Sequence, residues 1–172
     1  MASPFRIEEA TICRAAGVYA GALSAIVHAL KYQHRTSLAK PLGDLIARHC
    51  GDALHGADLV VPVPLHPSRQ RARGFNQAAL LARALPLPCA EALARVRATP
   101  SQTDLPADRR RLNVKGAFAV VPRDRQRAAL SGRCLVVVDD VATTGATLGE
   151  CAKVLREAGA REVRAVTAAR AL

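Results

Sequence analysis

The chain has 172 residues, half of them apolar, which suits one domain over residues 1–172 that buries roughly 70% of its unfolded surface without staples. No apolar run approaches the ~20 residues of a membrane helix, and the opening MASPFRIEEATIC carries acids where a secretion signal is apolar, so no membrane association is expected and the cytoplasm is the expected compartment. The formal charge of +11 calls for a negatively charged partner, either a phosphorylated small molecule or nucleic acid, while two tyrosines, three phenylalanines and no tryptophan count modestly against a dedicated single-strand binder.

In chain order, residues up to about 15 read as an N-terminal extension. Leu23, Ile26, Val27 and Leu30 predict a helix over 22–32, and Leu42, Leu45 and Ile46 a second one starting near Pro41 or a turn earlier. The β-branched run 59-LVVPVP-64 predicts a buried strand closed by prolines, followed by a basic loop, 65-LHPSRQRARG-74, and a helix from Asn76 to Leu85. Residues 98–116 are polar, without a period, and read as a long loop. Strands are then expected at 117-AFAVV-121 and 134-CLVVVD-139, with the charged connection 122-PRDRQRAALSG-132 between them. Leu148, Cys151, Val154, Leu155 and Ala158 share one helical face ended by Gly159, and 162-EVRAVTAA-169 reads as the last strand. Strands alternating with helices imply an α/β domain with a parallel sheet covered on both faces, and ligands bind such sheets at the carboxyl ends of the strands.

The five cysteines, Cys13, Cys50, Cys89, Cys134 and Cys151, are scattered, odd in number and form no Cys-x-x-Cys pair. They read as small core residues in a reducing compartment, and His28 and His34 are not at a one-face helical spacing. Zinc or another protein-held transition metal is therefore not expected.

The chemistry concentrates in 136-VVVDDVATTGATL-148. Two adjacent carboxylates cannot both enter a core, since strand residues alternate faces and an unpaired buried charge is costly. At a strand's carboxyl end, Asp139 and Asp140 diverge into a cleft, where they accept hydrogen bonds from vicinal hydroxyls and hold a divalent cation through its water. The following Thr143, Thr144, Gly145, Ala146 and Thr147 supply hydroxyls and backbone N–H groups at a helix start, a phosphate cradle. Carboxylates for a diol followed by a monophosphate cradle describe a ribose 5-phosphate. Neither a P-loop pattern nor Gly-x-Gly-x-x-Gly is present. A purely structural reading, a capped helix after a turn, leaves the second carboxylate without a use.

LVVVDDVATTGATL resembles the phosphoribosyl pyrophosphate (PRPP) signature of type I phosphoribosyltransferases. Together with 30-LKY-32, 60-VVPVPLHPSRQRARGFNQAALLA-82, the spaced Arg95, Arg97, Thr99, Gln102, Leu105, Arg109 and Asn113, and 116-GAF-118, it resembles the ComF family of competence-associated proteins. The resemblance implies a Rossmann-like sheet flanked by helices with a small irregular N-terminal and hood region, binding PRPP and Mg²⁺ at its carboxyl edge. It implies ribose contacts from Asp139 and Asp140, with Mg²⁺ held there through water, and 5-phosphate contacts from Thr143 to Thr147. It implies pyrophosphate contacts after the first strand, from Pro64, Leu65, His66, Arg69 and Arg73, with Lys31 in reach, and a lid over 97–113 that carries Arg109 to the reaction. Planar arginine donors suit a highly charged leaving group.

The implied reaction is displacement of pyrophosphate from the ribose by an unidentified nitrogen acceptor. The alternative is a PRPP-responsive module acting with single-stranded DNA or the helicase machinery of competence. Relatives in that family commonly begin with a cysteine-rich zinc ribbon that this chain lacks, and purine-specific members carry an aspartate where Thr143 stands.

Overall fold

The computed structural model describes residues 3–98, 113–121 and 129–171. Its elements are β1 (Ser3–Pro4), β2 (Cys13–Val18), α1 (Gly21–Tyr32), α2 (Ala39–His49), α3 (Gly51–Leu54), β3 (Leu59–Pro62), α4 (Pro67–Arg73), α5 (Gln77–Arg83), β4 (Leu93–Arg95), β5 (Phe118–Val120), β6 (Cys134–Ala142), α6 (Ala146–Glu157) and β7 (Glu162–Arg170). The main sheet has the order β1-β2-β7-β6-β3, with β2, β7, β6 and β3 mutually parallel and β1 antiparallel at the edge. This is the α/β architecture expected from the alternation of apolar runs.

The sheet separates two cores. Leu135 and Val137 of β6 pack on one face with Leu148, Cys151 and Leu155 of α6. Val136 and Val138 pack on the other with Val27 and Leu30 of α1, Ile46 of α2 and Leu81 of α5. A strand buried on both faces must be apolar at every position, which is why 134–138 shows no alternation.

Three elements differ from the sequence expectation. Residues 13–15 are not part of an extension: Cys13 and Ala15 are buried on β2, which pairs with β7 from Cys13↔Ala165 onward. CRAAGV is too small and mixed to read as a strand, and its burial is imposed by the neighbouring β7. The stretch 65–74 is not a loop. Pro67 opens α4, His66 Nδ1 accepts from the Ser68 N–H at 3.3 Å, and Gly74 closes it with φ 79°, donating to Gln70 O at 2.8 Å. Finally, 118–120 leaves the main sheet and pairs with Leu93–Arg95, a strand without a sequence signal, as a separate antiparallel ribbon.

Four of the five cysteines are buried and all are free thiols. Burial pushes Cys13 up to about 11 and Cys50 up to about 12. No helix among the described residues is long and apolar enough to cross a membrane.

Candidate active site

The carboxyl ends of all four parallel strands open on one cavity of about 610 Å³. Tyr19 follows β2, Val63 to Leu65 follow β3, Asp139 to Thr143 close β6, and Ala171 follows β7. Lys31, Arg69, Arg73, Arg95 and Thr147 add to the polar lining.

The paired aspartates owe their placement to unequal strand lengths. The β3 ladder ends at Pro62↔Val138, whereas β7 continues alongside β6 to Ala142↔Arg170. Asp139 and Asp140 are therefore still held as strand on one side and free of strand on the other. Alternation then sends them to opposite faces. Asp140 follows Val136 and Val138 toward α1 and is buried there in an ion pair with Lys31. Asp139 follows Leu135 and Val137, is partly exposed, and accepts the Asp140 N–H at 2.8 Å. Burial pushes the Asp139 carboxyl up to about 6, against the pull of Lys31, Arg95 and Arg73.

The turn after β6 is shaped by Gly145, whose φ of 77° lies in the left-handed region. A Cβ there would also come within 3.1 Å of the Ile7 side chain, so the N-terminal segment packs directly behind the turn. Thr144 Oγ1 accepts the Ala146 N–H at 3.4 Å, while Thr143 and Thr147 line the cavity. Gly145 caps a twelve-residue helix whose first N–H groups lack helical partners, which is the physical basis of an anion cradle.

Opposite stands the arginine wall. Arg69 and Arg73 are one helical turn apart on α4, so they share a face; both are half-buried while the rest of α4 is exposed. Arg73 Nη1 donates to Gln77 Oε1 at 2.6 Å, and its guanidinium lies 5.4 Å from the Tyr32 ring centroid. Asn76 fastens the wall to the sheet: its amide donates to Val63 O at 3.0 Å and its Oδ1 accepts the Ala78 N–H at 3.0 Å, capping α5.

The cavity thus gathers Asp139, Asp140, Thr143, Thr147, Pro64, Leu65, Arg69, Arg73 and Lys31. Thr144, Gly145 and Ala146 form the backbone of the turn. His66 is instead the N-cap of α4, with its Nδ1 2.7 Å from Ser68 Oγ. Lys31 is engaged by Asp140 before any ligand is considered, and burial lowers its pKa. Arg109, and most of the lid segment expected over 97–113, lies outside the described residues.

Arg95 was not assigned to the site by sequence reasoning. It is 8% exposed, stacked 5.3 Å from the Phe118 ring centroid, and it lines the cavity beside Asp139. Nothing local marks an arginine in LARVR as buried; only the β4–β5 ribbon puts it there. Tyr19, Tyr32 and His34 were likewise unassigned, though Tyr32 lies within 30-LKY-32.

No group of three or more histidine, cysteine or acidic side chains among the described residues forms a metal cage. One partly exposed carboxylate in a cavity also lined by threonines and arginines fits a hard cation that keeps its waters and takes other oxygens from a phosphorylated ligand.

Compared with known families, residues 71–172 match the phosphoribosyl transferase domain. The chain is 39% identical over 156 residues to the DNA utilization protein YhgH of Escherichia coli K12, covering 85% of this chain and 66% of that protein. It is 35% identical over 165 residues to competence protein F of Haemophilus influenzae, covering 90% of this chain and 71% of that one. It therefore spans about two thirds of the length of the E. coli relative. Among solved structures, the glutamine PRPP amidotransferase of Bacillus subtilis aligns over 74% of this chain and 25% of its own, with 27% identity and a TM-score of 0.44. The paired aspartates and threonine turn of this chain, and its similarity over 90% of its length to competence protein F, make it a member of the ComF family, within the phosphoribosyl transferase domain family.

Proposed function

We propose that the cavity binds PRPP together with Mg²⁺ and that the chain transfers the phosphoribosyl group to a nitrogen acceptor, releasing pyrophosphate. The observation that carries this reading is the meeting, in one cavity, of a carboxylate for a diol, a threonine turn for a monophosphate and an arginine wall for a diphosphate. These are the three polar parts of PRPP, a ribose diol flanked by a 5-phosphate and a pyrophosphate.

In this reading Asp139 accepts from the ribose hydroxyls, and the Lys31–Asp140 pair keeps the second carboxylate from adding charge repulsion toward the phosphates. Thr143, Thr147 and the N–H groups of the Gly145 turn hold the 5-phosphate. Arg69, Arg73 and Arg95 face the pyrophosphate. As the C1–O bond breaks, its electron pair goes to the pyrophosphate, whose growing charge these guanidinium groups stabilise in place. The acceptor nitrogen forms the new bond to C1 and gives up its proton to solvent. Mg²⁺, when bound with PRPP through Asp139 and water, contributes further neutralisation of the leaving group.

The test is calorimetric titration with PRPP and Mg²⁺, beside an Asp139→Ala/Asp140→Ala variant, followed by an assay of pyrophosphate release with pooled nucleobases. Binding by the wild type alone supports the site, and release above the variant's background supports transfer. Absence of binding, or equal binding by the variant, refutes the reading.

A second reading, PRPP as a regulatory ligand of a module acting on single-stranded DNA, is favoured by the charge of +11 and by relatives named for DNA utilization and competence. PRPP binding without pyrophosphate release, joined to oligonucleotide retention that falls steeply with salt, would favour it.

A further inference from the structure

The short helix α4 carries Arg69 and Arg73 yet buries none of its own residues. Core packing therefore does not orient these arginines. A side chain of α1 reaches across to Arg73, and one from the segment just after α1 reaches the residue beyond Gly74. Tyr32, the last residue of α1, presents its ring 5.4 Å from the Arg73 guanidinium. That ring is itself steadied one turn back by His28, at a centroid separation of 4.8 Å and a tilt of 47°. Two residues further on, the His34 ring meets Phe75 edge-on at 5.7 Å, immediately beyond Gly74, where α4 ends. Gln77 takes the other side of Arg73 at 2.6 Å. Meanwhile Lys31, the immediate neighbour of Tyr32, engages Asp140 on the opposite wall. The last turn of α1 thus touches the carboxylate half of the site with one residue and the arginine half with the next.

We propose that Tyr32 is a positioning residue for the pyrophosphate half of the site: its ring holds the Arg73 guanidinium in the orientation that receives a diphosphate. A guanidinium on a four-bond stem at the end of an exposed helix has many rotamers, and stacking on a ring removes most of them before a ligand arrives. Tyr32 is 57% exposed, so its ring is not needed to complete the core. The arrangement also places Lys31 and Tyr32 so that tilting the end of α1 would disturb both halves together.

This proposal rests on the PRPP reading, and its test separates the two. Inorganic pyrophosphate with Mg²⁺ and ribose 5-phosphate are titrated separately into the wild type, Tyr32→Leu and Tyr32→Phe. Tyr32→Leu is expected to weaken pyrophosphate binding by about tenfold while leaving ribose 5-phosphate within about twofold, and Tyr32→Phe to bind both like the wild type. In an Arg73→Met background, adding Tyr32→Leu is expected to have no further effect on pyrophosphate. Unchanged pyrophosphate affinity in Tyr32→Leu, equal loss of both ligands, or failure of Tyr32→Phe to restore binding would overturn the positioning role while the PRPP reading stands. A wild type that binds neither ligand would overturn the PRPP reading and this proposal with it.

Discussion

Lys31 at the end of α1 and Asp140 on β6 form an ion pair between two elements far apart in sequence, with 19% and 4% of their side chains exposed. It is the junction through which a carboxylate that a strand cannot bury alone is tolerated inside the fold. Removing one partner leaves the other charge uncompensated. Lys31→Met is expected to lower unfolding free energy by about 3 kcal/mol, and Lys31→Met/Asp140→Asn to recover much of that loss. Urea denaturation of the two single variants and the double variant measures the coupling; additive losses would show that the pair contributes nothing.

At the other end of the sheet, Glu162 receives Arg164 at 2.8 Å and the Thr11 hydroxyl at 2.6 Å. These bonds, Arg164 first, pull its carboxyl down from 4.5 to about 2. A carboxyl depressed in the folded state gives stability that is fully present above its unfolded pKa and is lost as pH falls through its folded one. Glu162→Gln is therefore expected to cost about 1 kcal/mol at pH 7, after allowance for solvent screening, with the difference from wild type closing between pH 4.5 and about 2. Denaturation midpoints across that range check it, and a gap that widens toward acid would refute it.

Gly145 combines a φ of 77° with a Cβ position 3.1 Å from Ile7. Gly145→Ala is expected to cost about 1–2 kcal/mol of stability and to weaken ribose 5-phosphate binding by more than about tenfold, because the turn must move. Calorimetry with ribose 5-phosphate, alongside thermal melts, measures both. Native affinity in this variant would show that the turn is not the phosphate site.

Asn76 serves two partners with the two ends of one amide. Asn76→Asp keeps the cap acceptor for Ala78 but loses the donor to Val63 O, whereas Asn76→Ala loses both. Asn76→Ala is expected to lose about 1–2 kcal/mol of stability and Asn76→Asp less than half of that. Both are expected to weaken pyrophosphate binding, because Val63 to Leu65 are no longer tied to α5. Equal stability of the two variants would remove the cap from this account.

The sequence by itself determined the alternating order of strands and helices, the buried character of 134–138, and a diol-and-phosphate motif at 139–147, because each rests on local periodicity or on adjacent residues. It could not place β2, whose residues are apolar enough only in the company of β7, nor show that Pro67–Arg73 is helical, since the six residues between Pro67 and Gly74, five of them polar, carry no amphipathic period. Nor did LARVR reveal that Arg95 is buried: that depends on pairing Leu93–Arg95 with Phe118–Val120 across a long separation. The tertiary structure alone decided how the two aspartates divide. The β3 ladder stops one residue before them while β7 runs on, so alternation sends Asp140 to Lys31 and leaves Asp139 facing the cavity. Strand length relative to a neighbour is a property of the assembled sheet, and no window of sequence contains it.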